Sequence, residues 1–397
     1  MPIVPEIEAL KAEMTAWRRR IHAQPETAFE EVETARFVAQ KLEEFGLDEV
    51  HTAIAKTGVV GVLRSGKAAR AGNEPRAIGL RADLDALHIR ELNETPHRSR
   101  HDGRMHACGH DGHTAMLLGA AKHLAATRNV AGTVYFIFQP AEENEGGGRA
   151  MVEAGLFERF PMKAVFGLHN WPGLPIGQMA VRAGPMLASC DVFEIALEGR
   201  GTHAAMPHLG RDPVVAGAAL VQALQTIASR EIDPLDSAVV SVTQFHAGDT
   251  WNVIPEGAVL RGTTRAFRPE VQDALERRLR ELAEGIASSL GVSAKVRYER
   301  RYPPTVNNPE ATEWAAAAAA EVVGEAALDR SVRPTMGAED FAFMLEEKAG
   351  CYIFLGNGPR DGGRTLHSPH YDFNDDALPV GASYWVTLAR RLLPQDA

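Results

Sequence analysis

GTVYFIFQ at 132–139 is apolar almost throughout and is halted by Pro140, and AVFGLHNW at 164–171 repeats the design ahead of Pro172. A strand that is apolar on both faces has to be covered on both, which calls for a sheet with helices above and below it. Helical patterns supply the cover. Ile7, Leu10, Met14, Trp17 and Ile21 recur at helical spacing, as do Phe37, Leu42 and Phe45 after the turn around Pro25. HTAMLLGAAKHLAATR at 113–128 reads as an amphipathic helix whose start suits Asp111 and Gly112. The fold class expected is therefore α/β, a mixed and mostly parallel sheet with helices on both faces. In such sheets ligands gather beyond the carboxyl ends of the strands. Three strand ends carry polar clusters: Arg81-Ala82-Asp83-Leu84-Asp85, Glu142-Glu143 and His169-Asn170. They point to one shared site.

The 397 residues exceed the roughly 250–300 at which a single core stops growing, so a second domain is expected. From about residue 187 the pattern becomes strand, helix, two strands, helix, strand, the order of a ferredoxin-like α+β unit. We read 1–186 as the first part of a catalytic domain, 187–300 as an inserted lid, and 301–397 as the return to the first domain, with a helix at 309–324.

A formal charge of −10 argues against nucleic acid as a partner, because phosphate binding depends on clustered Lys and Arg. The run Arg18-Arg19-Arg20 lies in an acidic helical pattern and reads as a solvated face. No window approaches the roughly 18 apolar residues of a membrane helix, and the N-terminus lacks a basic region followed by an apolar stretch, so no membrane association and a cytoplasmic location are expected. Cys108, Cys190 and Cys351 are odd in number and far apart, which is no disulfide framework. Cys190 and Cys351 sit in strand-like patterns and read as small buried apolar residues.

Cys108 is different. MHACGHDGHTAM at 105–116 gathers His106, Cys108, His110, Asp111 and His113, the ligand types of zinc and its neighbours. On spacing alone it balances between a ligand cluster and a polar helix start. Glu142 and Glu143 follow a buried strand, where a carboxylate calls for a counter-charge or a metal. One of the pair can bind metal while the other handles protons, the division that metal-assisted hydrolysis requires. His169 and His367 are further candidates.

ADLDAL, MHACGHDGHTAMLLGAA, FQPAEENEGGG, GLHNWPGLPIG, GRGTHAAMPHLGRDP, NVIPEGAVLRGTTR, MGAEDFAFM and LHSPHYDFND occur in this order. Together they resemble the amidohydrolase branch (hippurate hydrolase, N-acyl-L-amino acid amidohydrolase, auxin-conjugate hydrolase) of the aminoacylase and carboxypeptidase G metallopeptidase family, over about residues 15–390. The resemblance implies a two-metal catalytic domain and a ferredoxin-like lid. It places ligands at Cys108, His110, Glu143, His169 and His367, with Cys108 bridging two divalent ions, manganese or zinc, with cobalt or nickel as alternatives. Glu142 falls on the general base, accepting a proton from a water held between the ions, and His106 and His113 leave the ligand list. Distant relatives use a His-x-Asp where the matching residues here are Arg81-Ala82-Asp83. His203 would stabilise the oxyanion, in the same subunit or across a dimer. Asn252 and Arg265 would hold the substrate carboxylate, an Arg fork suiting it geometrically. Asp83 would orient a ligand from behind, with Asp85 an equal candidate. Asp340 and His370 lie in the motifs without an assigned role. The expected reaction is hydrolysis of N-acyl amino acids such as benzoyl-glycine by a homo-oligomer, dimer or tetramer. The rivals are a dipeptidase or a diaminopimelate or N-acetyl deacetylase on the same centre, and a metal-dependent binding protein without turnover.

Overall fold

A computed structural model describes residues 3–66, 76–143 and 145–395. The chain divides into two compact units, one of Met1–Gly184, Val306–Arg333 and Asp340–Ala397, the other of Pro185–Thr305 and Pro334–Glu339. The 334–339 segment, unlike its sequence neighbours, packs with the second unit.

The first unit is built on an eight-stranded sheet. Its centre is parallel: Gly132–Gln139, Ala77–Asp83, Ala164–Trp171 and Gly350–Gly356 lie side by side in that order. Every residue of Gly132–Gln139, Ala77–Asp83 and Gly350–Gly356 is buried, as their two-sided apolar character requires. Antiparallel strands flank this core, Gly58–Ser65 against Gly132–Gln139 on one side and Met179–Ala180 against Gly350–Gly356 on the other. The helices Lys11–His22, His110–Thr127, Pro309–Val323 and Leu378–Leu392 contribute to one apolar cluster with the strands. The two long-range polar clusters at 81–85 and 142–143, with His169, therefore come off neighbouring parallel strands at the same edge.

The second unit has the ferredoxin-like arrangement. Its strands lie in the order Ala238–Ala247, Gly257–Ala266, Cys190–Glu198, Ser293–Tyr302, each antiparallel to its neighbour. Alternation along Cys190–Glu198 buries Phe193, Ile195 and Leu197 against the helices Pro213–Thr226 and Pro269–Ser289. Asp212 caps the first of these helices, accepting the Val214 N–H at 2.8 Å.

The structure corrects two readings of single residues. Arg18 is not on a solvated face: its side chain is fully buried, and its guanidinium donates to Asp372 at 2.7 Å and Asp375 at 2.8 Å. Arg18 shares the inward stripe of its helix with Met14, Trp17, Ile21 and His22, so only Arg19 and Arg20 face outward. Cys351 is buried as expected, whereas Cys190 is only half-buried. No helix among the described residues is long and apolar enough to cross a membrane.

Candidate metal centre

Cys108 and His110 are delivered by the turn that starts the His110–Thr127 helix, three residues earlier than the pattern suggested. Gly109 makes the turn. Its φ of +93° favours glycine, and a Cβ there would lie 2.3 Å from the Asn170 amide and 2.4 Å from the Tyr371 hydroxyl. Tyr371 donates to Asn170 Oδ1 at 2.8 Å, and Asn170 donates to the Cys108 carbonyl at 2.6 Å, so the end of the Ala164–Trp171 strand fixes the cysteine backbone. His367 arrives from the far end of the chain, its N–H donating to the Ala107 carbonyl at 2.8 Å and its φ at +62°.

The five residues expected as ligands fall into two groups. Ligand atoms of Cys108, His110 and His169 all lie within 4.8 Å of one another, and so do those of Cys108, Glu143 and His367. Cys108 belongs to both. Glu142 joins His110 and Glu143 in a further group of the same tightness, so it stands beside the centre with its side chain buried.

Hydrogen bonding decides which lone pairs face inward. His169 Nδ1 lies 2.7 Å from the Asn170 carbonyl, which can only accept, so that nitrogen donates and Nε2 keeps a lone pair 3.3 Å from Cys108 Sγ. His110 Nδ1 likewise donates to the Asp85 carbonyl at 2.9 Å, and its Nε2 is buried without a hydrogen bond. Glu143 Oε1 is also buried without one, although His367 Nε2 stands 3.1 Å away. His113 is satisfied on both sides, with Nδ1 on Asp83 at 2.7 Å and Nε2 accepting the Asn170 N–H at 3.0 Å. It has nothing left for a metal. His106 is buried with neither ring nitrogen hydrogen-bonded, and burial pulls its pKa down to about 4.

The electrostatics fit cations. Burial, and then the carboxylates of Glu143, Glu142 and Asp83, push the Cys108 thiol well above its ordinary value, so a thiolate here needs positive charge. Burial lowers His110, but Asp83 and Asp85 outweigh it and raise the imidazole to about 10. Burial and the neighbouring His113 hold His169 well below its ordinary range, which keeps it neutral as a ligand must be. Buried His110 Nε2 and Glu143 Oε1 atoms without hydrogen bonds, a soft sulfur donor and buried negative charge make a donor set that suits a pair of divalent ions.

Behind the ligands stand residues the sequence left unresolved. Asp85, the equal candidate, accepts from His110 Nδ1 at 3.2 Å through one oxygen and from the Glu143 N–H at 2.9 Å through the other. Asp83 instead holds His113 and Arg81, the latter at 2.8 Å. Arg81 also donates to Gln139 at 2.9 Å and Asp340 at 3.2 Å, and Asp340 accepts from Gln139 at 2.7 Å. That network ties three segments behind the site and gives Asp340 a place that its motif alone did not. His370 is exposed.

In the second unit, His203 and Asn252 are neighbours: Thr202–His203 pairs with Val253–Ile254, and the Ala204 N–H donates to the Asn252 carbonyl at 2.9 Å. Both side chains are exposed. Arg265 is not with them. It sits near the far end of Gly257–Ala266, whereas the 253–254 strand of the separate ribbon precedes the Gly257 end; at about 3.4 Å per residue Arg265 is roughly 25 Å along that strand from Gly257.

A model of "Peptidase family M20/M25/M40" matches residues 79–391. Hippurate hydrolase of Campylobacter jejuni is 43% identical over 393 residues, covering 99% of this chain and 100% of that protein. N-acetylcysteine deacetylase of Bacillus subtilis is 38% identical, covering 96% and 97%. Among solved structures, the Bacillus subtilis YXEP protein, described as a dinuclear metal-binding peptidase of the M20 family, superposes with a TM-score of 0.83 at 35% identity, covering 97% of this chain and 99% of that one.

Proposed function

The chain belongs to peptidase family M20/M25/M40, and from that membership we propose that it hydrolyses the amide bond of N-acyl amino acids, hippurate-like substrates first among them, releasing a carboxylic acid and a free amino acid. The observation that carries this reading is the sharing of Cys108 between two three-residue ligand groups with Glu142 beside them. Cys108, His110 and His169 would hold one divalent ion, and Cys108, Glu143 and His367 the other. Such ions, when bound, supply Lewis acidity and bring water within reach of deprotonation near neutral pH. Manganese or zinc are the first candidates, with cobalt or nickel behind them.

Glu142 acts as the base. Its carboxylate takes the proton of the attacking water and returns it to the leaving amine. Asp85 holds two partners of that chemistry at once, the His110 ring and the Glu143 backbone, and so keeps the donor set in register. In the second unit, taken as a lid and dimerisation domain, His203 would stabilise the oxyanion and Asn252 and Arg265 the substrate carboxylate. His203 and Asn252 lie on a two-stranded ribbon that precedes the Gly257 end of the four-stranded sheet, and Arg265 lies near the other end of that strand, which favours separate roles for them. We therefore assign His203 and Asn252 to a substrate held by a second copy, with Arg265 kept as a further candidate for the carboxylate. The surface around them supports a partner: Met206, Leu209, Val215 and Val253 are each about half exposed and Trp251 is fully exposed, an apolar patch of the kind that interfaces cover. A homodimer is the simplest assembly. The free thiols suit a reducing compartment, and a cytoplasmic location belongs to the same reading.

The test is a panel of benzoyl, acetyl and peptidyl amino acids, assayed with manganese, zinc, cobalt and nickel. Release of amine from benzoyl-glycine ahead of dipeptides is expected. Metal uptake without turnover on any member would instead favour a binding protein.

A further inference from the structure

Glu31 is a carboxylate with no exposed surface, and the reaction described above does not use it. Its Oε2 accepts the Thr57 hydroxyl at 2.5 Å. Its Oε1 accepts two backbone N–H groups, that of Phe29 at 3.1 Å and that of Ala141, 110 residues away, at 2.9 Å. The first two bonds organise the start of the Val32–Glu44 helix and the turn before Gly58–Ser65. The third reaches the site.

Ala141 is the residue before Glu142, and its φ is +51°. A side chain other than glycine visits that region rarely, because its Cβ crowds the backbone, so something must hold it there. Pro140 ends the Gly132–Gln139 strand and has no N–H to donate. The reversal at 141 then turns the chain so that consecutive residues, Glu142 and Glu143, both reach the group with His110 instead of alternating across a strand. Each step of the segment is pinned. The Ala141 N–H goes to Glu31, its carbonyl accepts the Gly147 N–H at 2.9 Å, and the Glu143 N–H goes to Asp85 at 2.9 Å.

We propose that Glu31 is a positioning residue for hydrolysis: by accepting the Ala141 N–H, its buried carboxylate holds residue 141 in the left-handed conformation that presents Glu142 and Glu143 to the metal centre. The inference rests on the reading of Glu142 as base and Glu143 as ligand. A brace of this kind differs from a merely structural one in a specific way. Its loss should be repaired by any residue that adopts the left-handed conformation unaided, and glycine does.

The experiment compares the full-length enzyme, loaded with manganese or zinc, with Glu31→Ala, Glu31→Ala/Ala141→Gly and Ala141→Val. Turnover of benzoyl-glycine and the affinity of each ion, by competition with a chelator, are both measured. Glu31→Ala should lower kcat about 10–100-fold with little change in KM, and weaken one of the two ions by a similar factor, the range seen when a ligand's supporting residue is lost. Adding Ala141→Gly should return most of both. Ala141→Val, which leaves Glu31 in place but resists the left-handed region, should reproduce the loss, and it carries the test if Glu31→Ala does not fold. A folded Glu31→Ala with unchanged kcat and ion affinities, or a double variant with nothing restored, overturns the proposal. If the parent enzyme cleaves no N-acyl amino acid, the hydrolytic reading falls, while the ion affinities of the same variants still decide the role of Glu31.

Discussion

The two units differ in their ion pairs. The first has, besides pairs at its surface, buried and mutually fixed ones: Arg18 and Asp111 have no exposed side-chain surface, and His22 Nδ1 bonds Asp111 at 2.8 Å. In the second, ion pairs such as Arg261 with Glu194 at 2.6 Å lie at the surface, where each is worth at most about 1 kcal/mol. The same contrast holds for most of the candidate site residues. Cys108, His110, His169 and Glu142 are buried, although His367 is exposed, whereas His203 and Asn252 stand exposed on a two-stranded ribbon. The first unit gathers most of its candidate groups into its interior. The second presents them at its surface.

The sharpest way to break the comparison is to disable each unit in turn. Glu142→Gln keeps the shape of the base and leaves the expected ligands intact, so metal content should stay at the parent level while kcat falls about 10²–10⁴-fold, the usual contribution of a general base. Near-normal turnover would remove Glu142 from that role. His203→Ala should cost about 10²–10³-fold, as loss of an oxyanion donor does. The two inactive proteins also test each other. If His203 serves a second copy, mixing them with subunit exchange restores about a quarter of parental activity, because half the dimers carry one complete site of two. If His203 serves its own chain, the mixture stays inactive.

The contrast also explains what could be read beforehand. Strand ends were legible because two-sided apolar runs announce a parallel core, and two of the candidate ligands, Glu143 and His169, lie where such runs stop. What lay behind the ligands was not. Asp83 closes its strand and Asp85 lies one strand period beyond it, so only the helix that brings His110 to Asp85 and His113 to Asp83 separates them. Glu31, Asp340 and Tyr371 meet their partners across 110 to 259 residues, beyond any local pattern. Arg18 did leave a trace that its neighbours masked: with Met14, Trp17, Ile21 and His22 it completes a helical stripe, and a charge on such a stripe signals a buried partner.

That partner gives the next prediction. Asp111→Ala would leave the Arg18 and His22 cations facing each other in the interior, with Arg18 still held by Asp372 and Asp375. Breaking a buried pair from one side costs about 3–5 kcal/mol. Denaturant unfolding should show that loss in the first unit's transition, while Glu194→Ala in the second should shift its own by no more than about 1 kcal/mol. Equal small shifts would mean that the buried network adds little.

The smallest expected effect is the most specific to this interior, because two histidines there are driven in opposite directions. Burial lowers His22, but the Asp111 carboxylate, with Glu91 behind it, more than compensates and raises it to about 9. His106, with ring centroid 6.2 Å from that of His22, is lowered by burial to about 4. Both start near 6.5 in the unfolded chain. The stability from His22 is therefore complete below pH 6.5 and is lost as pH rises through 9. That from the neutral His106 is complete above 6.5 and is lost as pH falls through 4. Each limb is on the order of 3 kcal/mol or less, so the metal-free protein should be most stable near pH 6.5. His106→Phe, which removes a titrating ring without removing its packing, should reduce the acid limb, to which the lowered His169 also contributes, and leave the alkaline one. An acid limb of unchanged size in that variant would mean that His106 does not contribute to it.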